Sequence, residues 1–588
     1  MGIPRGLGMR RIRAGAPCEQ TPLPPMPSFS SASSRARGRL LAVALLALVA
    51  GGCKTAQEQR ADADRQTYEI LEQRRQELAL GEVEFTLAPP ADSLRQRLLR
   101  GETIGPAGIT ETLEIAAENS RDFQRRKEDL YIAALDLTLE RFRFDVQQNG
   151  RIGALLNGDA DGATTLSESF STGFTKLLGT GAVVVADMGL ALTRSVTTGD
   201  SWDIVSAPVL SVTQPLMRGF GERIVREPLT QAERNVVYKL REYERFRRTF
   251  CVDAITRYIQ LLRAADQVKN ERTNMDNLVA LRERNEALAE AGRQSDIQTD
   301  QARQNELASR NRLIQAIERY GTALDDLKLF LGLPIEIQFE PVSSELYDMT
   351  IDDTLTIEDK LAVEVGLRLR LDYMTVLDQR EDSERKVNVA ADALRTRFDV
   401  AGSVRATSTD GSPVEFSRDD LAWTLRPDIV FPLAIVAERN AYRKAFITME
   451  RARRSAEQLG DEITSGVRAS VRQARTRRQS VDIQANAVTL AERRIESANL
   501  SLQAGRATTR DILEAQQALV DARNALTGAR VDYYLSQLAL WRDMELLRVD
   551  ENGLRFAREG LSVAPNAAPA PQVPNNESAG ESGAQETQ

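Results

Sequence analysis

The chain has 588 residues, with 77 lysines and arginines against 85 aspartates and glutamates, a net charge of -8 and no histidine. The missing histidine excludes His-ligated metal centres, Ser-His-Asp triads and imidazole bases, and the acidic balance lacks the basic footprint of a nucleic-acid binder. Only scattered carboxylates remain, so neither an enzyme activity nor a cofactor is expected, and nucleic acid is not an expected partner.

Residues 1–52 read as an export signal. Arg35, Arg37 and Arg39 form a basic run, and Leu40 to Ala50 is an apolar stretch too short to span a bilayer as a helix. The proline-rich residues before Met26 are unlike a signal start, and translation from Met26 is expected. The segment ends in Ala50-Gly51-Gly52-Cys53, which resembles a bacterial lipoprotein lipobox with Ala50 where leucine is usual. That resemblance implies that Cys53 is acylated and becomes the first residue of the mature chain; ordinary signal cleavage nearby is the alternative. Cys18 falls in the discarded segment, and Cys251, on a helical stretch, reads as a small buried hydrophobe. Residues 53–112 are polar, with Pro89-Pro90 in their middle, and read as a lipidated tether containing one helix.

Residues 113–334 form a first unit of helix, strands and long helical hairpin. Leu130, Ala133, Ala134 and Leu137 recur at helical spacing within Glu114 to Glu140. Beyond it, Asn157, Asp159, Asp161, Gly162 and Glu168 match calcium-loop spacing. No helices flank them, and Gly-Asp-Ala-Asp-Gly is ordinary loop chemistry. A surface loop is therefore the reading, calcium the minor alternative, and no metal site is assigned. The period then changes to two: Val184, Ala186, Met188, Leu190 and Leu192 are apolar, opposite a smaller, more polar face. Such alternation over about ten residues is the signature of a membrane β-barrel strand, but taken alone it favours a half-buried strand of a soluble sheet.

After Gln214-Pro215-Leu216 the chain enters a long helix. Phe250, Ala254, Tyr258, Leu261, Ala265, Val268, Met275 and Leu278 make a coiled-coil-like seam along it. Ala291-Gly292-Arg293-Gln294-Ser295 interrupts the helical run: glycine ends one helix, and serine stands ready to cap the next. Leu331-Gly332-Leu333-Pro334 stops the return arm, and residues 335–358 read as an acidic linker.

Residues 359–549 repeat the layout. Phe398, Val400, Gly402, Val404 and Ala406, then Leu421, Trp423, Leu425, Ile429 and Phe431, supply apolar alternation before a second long helix. That helix turns at Ala504-Gly505-Arg506-Ala507-Thr508. Arg141-Phe142-Arg143-Phe144-Asp145-Val146 recurs as Arg395-Thr396-Arg397-Phe398-Asp399-Val400, and Ala232-Glu233-Arg234-Asn235 as Ala437-Glu438-Arg439-Asn440. Arg310-Asn311-Arg312-Leu313 recurs as Arg523-Asn524-Ala525-Leu526. About 60 residues run from the first AERN block to its turn, roughly 90 Å as a helix, while the return arm reaches only roughly 55 Å. Each long helix is therefore expected to lie beside two shorter ones set end to end. Each half offers about two strands, four in all, with the roughly fifty additional residues of the first half read as longer hairpin loops. Four strands cannot close a barrel, so strands in lipid require several chains to pool them. Residues 550–588 are a Pro-, Ala-, Glu- and Ser-rich tail expected to be disordered.

From Glu114 to Val549 the duplicated helix-strand-strand-helix order, the two AGR turns and Phe330-Leu331-Gly332-Leu333-Pro334 resemble the TolC-type outer-membrane efflux protein family. The resemblance implies a mainly α protein with membrane β structure. Long antiparallel helical hairpins would form a periplasmic α-barrel below a trimeric twelve-stranded β-barrel, with four strands per chain and an internal two-fold repeat. The implied function is the outer-membrane exit duct of a tripartite efflux or type I secretion system. The homotrimer would sit in outer-membrane lipid and dock to a periplasmic adaptor and an inner-membrane pump. Ala291, Gly292, Arg293 and Ser295 with Ala504, Gly505, Arg506 and Thr508 would form the adaptor-docking tip. Asp511 and Glu514, three residues apart on one helix face, would form the periplasmic gate; Gln298 takes the matching place in the first half. The family's basic residue two places after the second-turn glycine is replaced by Ala507, with Arg506 before it.

Rival readings are a periplasmic coiled-coil lipoprotein acting as a structural spacer, an enzyme, and a soluble adaptor. The spacer needs no lipid-facing strands. The enzyme lacks a constellation, and two hairpins with two strand pairs exceed an adaptor's needs.

Overall fold

The computed structural model describes residues 54–78, 85–87, 92–159, 162–199, 202–349, 357–409, 415–431, 433–504, 506–550 and 553–556. The export signal and Cys53 lie outside the described residues. The chain divides between Asp64 and Arg65. Of the first unit only residues 54–64 are described; they open helix α1 (Ala56–Glu77), where the Thr55 N–H donates to Glu58 Oε2 at 2.8 Å. Everything below belongs to the second unit.

The stretch expected to be a tether is in large part packed. Ile70 and Leu71 of α1 and Leu98 of α2 (Leu94–Leu99) are buried. The predicted helix over 114–140 is two, α3 (Ile109–Asn119) and α4 (Arg121–Phe142), separated by Ser120 in an extended conformation with ψ 127°. After the strands come a single turn α5 (Glu222–Val225), then α6 (Glu227–Glu290) and α7 (Asp296–Phe330). The region expected to be a linker holds α8 (Glu345–Asp348) and is tied to the body: the Tyr258 hydroxyl donates to Glu345 Oε2 at 2.7 Å and accepts from the Val342 N–H at 3.2 Å. The second half contains α9 (Asp359–Leu369), α10 (Leu371–Asp392), α11 (Val436–Gln503) and α12 (Thr509–Asp543). Here Arg370, ψ 119°, makes the break that Ser120 makes in the first half. Lengths match between halves: α3 and α9 have 11 residues, α4 and α10 have 22, α7 and α12 have 35.

Helices α6 and α11, of 64 and 68 residues, extend roughly 96 and 102 Å at ~1.5 Å per residue. Helix α6 packs along α7 and along α3 and α4; α11 packs along α12 and along α9 and α10. The length mismatch read from the sequence is thus resolved as expected, each long helix lying beside shorter ones. Along the seam, Phe250, Ala254, Tyr258, Leu261 and Leu278 are buried, whereas Ala265, Val268 and Met275 are half-buried. The buried residues past Leu262 include polar ones, Asp266, Glu271 and Asn274. The two halves are joined near the strands by an ionic cluster: Arg234, of the first AERN block, pairs with Asp382 at 2.7 Å, and the Tyr238 hydroxyl donates to the same carboxylate at 2.6 Å.

Six strands form one antiparallel sheet in chain order: β1 (Gln147–Gly158), β2 (Thr164–Leu177), β3 (Val183–Ser195), β4 (Asp203–Pro215), β5 (Arg397–Ser408) and β6 (Phe416–Val430). This corrects the expectation of four strands per chain. The additional residues of the first half are not loop but a full extra hairpin. Their alternation is masked because Glu168, Thr172 and Lys176 interrupt the apolar face of β2, and β1 opens on Gln147-Gln148-Asn149. The register restores the pattern. One row across the sheet reads Gln148, Phe174, Ala186, Leu210, Val404, Trp423. The row behind it, on the other face, reads Gln147, Thr175, Val185, Ser211, Ser403, Thr424. One face is therefore largely apolar over all six strands and the other is more polar, with Arg151, Asp187, Arg405 and Arg426 on it. Ile152, Met188, Leu210, Leu421, Trp423 and Leu425 on the apolar face are all exposed.

After α12 the chain makes a short hairpin, β7 (Leu547–Asp550) and β8 (Gly553–Phe556), which carries order into the segment expected to be a disordered tail. The two return helices end alike. Gly332 (φ 72°) follows α7 and the Leu333 N–H reaches back to Lys328 O at 2.9 Å; Glu545 (φ 61°) follows α12 and the Leu546 N–H reaches Trp541 O at 2.9 Å. A Cβ at 332 would sit 2.3 Å from Asn119 O, so glycine is required there. At 545 a side chain is tolerated in the left-handed region because its carboxylate is held by Arg245 at 2.6 Å and Arg248 at 2.7 Å. Glu545→Ala keeps the strained backbone, takes the carboxylate from Arg248 and leaves Arg245 with Asp372 alone, at 3.3 Å. It should cost roughly 3 kcal/mol, measured as a shift in the denaturation midpoint of the detergent-solubilised protein; an unchanged midpoint would contradict this role.

Candidate functional site at the hairpin tips

Both helix-to-helix turns adopt the same C-terminal geometry. At the first, Gly292 takes φ 68° and the Arg293 N–H donates to Leu288 O at 2.9 Å, closing a Schellman-type cap. At the second, the Arg506 N–H donates to Ser501 O at 2.8 Å, the equivalent bond. Gly505 lies outside the described residues. Ala291, Gly292, Arg293 and Ser295 are exposed, as are Ala504, Arg506 and Thr508. Two large apolar side chains that sequence reading missed flank these turns: Leu500 before the second and Ile297 after the first, both well exposed. Their signal was present, as apolar residues next to a turn, but looked like ordinary helix periodicity.

The two turns lie against each other through one hydroxyl. Thr509, fully buried at the start of α12, accepts from the Gln294 amide at 2.9 Å and the Asn285 amide at 3.3 Å, and donates to Gln298 Oε1 at 3.4 Å. Asn285 is itself buried. Beneath this polar knot Leu278, Leu281, Ile512 and Leu513 form a small apolar cluster. Gln298, placed opposite the gate position by the repeat, is therefore a structural partner of Thr509.

Asp511 and Glu514 are exposed on one face of α12, and they do different work. Asp511 completes a capping box: its Oδ2 accepts from the Thr508 N–H at 2.7 Å and the Thr508 hydroxyl at 2.8 Å. Those bonds hold its carboxyl below the ordinary carboxylate range, the nearby Arg510 and Arg494 adding to the effect. A depressed value means that the cap persists at and above the ordinary carboxylate pKa and is lost only as pH falls through the lowered one. Glu514 is flanked by two arginines, accepting from Arg510 Nε at 2.9 Å and lying 3.8 Å from Arg494 of α11. The sequence reading missed both. Arg510 was legible as an i,i+4 partner; Arg494 reaches the site only through the packing of α11 on α12. The two carboxylates expected to form the gate thus have Arg510 and Arg494 beside them.

The calcium alternative meets a plain hairpin. Asp159 Oδ1 accepts from the Ala163 N–H at 2.9 Å. Asn157 pairs with Thr165 whereas Glu168 pairs with Ala154, which puts Asn157 and Glu168 on opposite faces of the sheet. Asp161 lies outside the described residues.

No protein-family model matches the chain, and no curated protein matches it. Solved structures do. The chain is similar to the outer-membrane channel OprN, at 17% identity and a TM-score of 0.57, over 79% of this chain and 96% of that one. It is similar to the CmeC outer membrane channel of Campylobacter jejuni, at 14% identity and a TM-score of 0.55, over 74% and 85%. It is likewise similar to the open state of the MtrE outer membrane channel of Neisseria gonorrhoeae, at 14% and 0.56, over 74% and 88%. The fold is that of TolC-like outer-membrane channels.

Thr509→Val should loosen the tip, because it removes the hydroxyl that serves Asn285 and leaves a buried amide without that partner, at a cost of about 1–3 kcal/mol. Hydrogen exchange of residues 285–298 should quicken while the sheet is unaffected; unchanged exchange at the tip would show that the knot is incidental.

Proposed function

We propose that the protein is the outer-membrane exit duct of a tripartite efflux or type I secretion system. It is a lipid-anchored homotrimer, acylated at Cys53, whose two hairpins per chain build a helical barrel across the periplasm. The observation that carries this reading is the sheet: one largely apolar face that continues across six strands of 12 to 15 residues, backed by a more polar face. A membrane strand needs about 9–11 residues, apolar outward and polar inward. Among the described residues no helix is long and apolar enough to cross a membrane; the strands are what the bilayer would hold. A structural spacer would have no use for such a face.

In this duct the exposed turns, 291–295 and 504–508, with Ile297 and Leu500 beside them, are the surface that receives the adaptor. Transport is passive, so the chain needs no cofactor and performs no catalysis; energy comes from the inner-membrane pump. Asp511 and Glu514 line the periplasmic opening, where threefold symmetry gathers six carboxylates around the axis together with the six guanidinium groups of Arg494 and Arg510. Such an opening favours cations only to the extent that the carboxylates stand nearer the axis than the arginines.

Single-channel recording of the purified oligomer in a planar bilayer tests this reading, with Asp511→Asn/Glu514→Gln as the paired variant. The expected result is a pore whose cation preference falls or reverses in the variant, since Arg494 and Arg510 are then uncompensated. A pore indifferent to the change discards the gate and keeps the duct. No conductance from a verified, membrane-inserted oligomer whose tip has been opened by Thr509→Val contradicts the duct.

A further inference from the structure

We infer that β6 of one chain pairs antiparallel with β1 of the next, so that all six strands, including the extra β2–β3 hairpin, stand in the barrel wall and a trimer closes on eighteen strands. The inference rests on the trimeric duct proposed above and departs from the twelve strands that the sequence resemblance implied. The sheet order is uninterrupted from β1 to β6, so β4 pairs with β3 and β5 and has no edge left for β1. Within this six-stranded sheet the free edges are those of β1 and β6. Hydrocarbon tolerates no open edge, and a single sheet of six is below the size at which barrels close. The occupant of each edge is therefore a second copy of this chain.

Direction and chemistry agree. In a sheet that runs antiparallel throughout, an even number of strands places β6 and β1 in opposite directions, and the joint is antiparallel like the rest. The apolar faces continue across it, from Trp423 and Leu425 on β6 to Ile152 and Leu156 on β1, all exposed in the single chain. On the polar face β1 brings one charge, Arg151, and β6 brings two of each sign, Arg418 and Arg426 with Asp420 and Asp428, so charge does not oppose the joint. Both edge strands are long enough, at 12 and 15 residues. With strands ~4.8 Å apart and tilted about 40°, eighteen strands give a barrel roughly 36 Å across at the backbone, against roughly 24 Å for twelve. The wall is then wider than the usual count allows, and the membrane section of the duct does not limit passage.

Cysteine cross-linking in the outer membrane tests the joint. Cys251 is buried, and burial pushes its thiol up to about 12, so it stays silent. Ile152→Cys is combined in turn with Leu421→Cys, Trp423→Cys and Leu425→Cys, and each chain is treated with a short bis-maleimide. The expected result is a ladder of covalent dimer and closed trimer from at least one combination, and from none of the single-cysteine chains. The companion variant Ile152→Cys with Leu210→Cys joins β1 to β4. Efficient linkage of that pair within one chain would mean that β2–β3 folds out of the wall, leaving four strands, and overturns the inference. So does the absence of any β1–β6 ladder from an inserted protein whose native mass is that of a trimer. A ladder that closes at a different number of copies overturns eighteen through the trimer reading, and native mass distinguishes the two failures.

Discussion

A strand buried in hydrocarbon can leave no backbone N–H or C=O without a partner, and the rest of this protein is arranged around that constraint. The six strands pair in order and leave two edges, so a barrel built from this sheet would need further copies of the chain. Their side chains sort by face, with Phe174, Leu210, Val404 and Trp423 on one side and Ser211, Ser403 and Thr424 on the other. The helices are free of the constraint and are built differently. They are charged, long and cross-braced, with α6 and α11 each held by shorter helices rather than by a broad apolar core.

Burial changes character along the hairpins. Midway along α6 the core is apolar and large, with Tyr258, Leu261, Leu327 and Trp541 fully enclosed. Further down it becomes polar: the Asn274 amide donates to Ser309 Oγ at 3.2 Å, and at the end Thr509 gathers Asn285, Gln294 and Gln298. Polar contacts of this kind are directional and individually modest. They fix which helix faces meet while contributing less cohesion than an apolar core. In the duct proposed above, a tip built so would hold a defined closed arrangement and still open for a docking partner.

Much of this was legible in the sequence. The turn motifs, the capping residues and the length argument placed the hairpins correctly because they rest on local chemistry, the glycine at 292 and the threonine at 508 above all. The extra hairpin was not legible. The apolar face of β2 is interrupted by Glu168, Thr172 and Lys176, and only cross-strand neighbours such as Leu190, Met188 and Val184 complete it. At the tip the carboxylates were found but their neutralisation was not, because Arg494 meets Glu514 through tertiary packing. Glu545 in a left-handed conformation was likewise invisible. Its stabilisation comes from Arg245 and Arg248, which lie about three hundred residues earlier in the chain.

The central claim is that one face of the sheet meets lipid and the other meets water, and single-cysteine labelling along β3 in intact outer membranes measures it most directly. Introduced at 186 to 191, cysteines should alternate. Positions 186, 188 and 190 should be quenched by lipid-borne nitroxide and shielded from an aqueous maleimide, and 187, 189 and 191 should do the reverse. Equal aqueous labelling at every position, in protein that is folded and membrane-associated, would contradict a barrel wall and leave the sheet as part of a soluble periplasmic spacer.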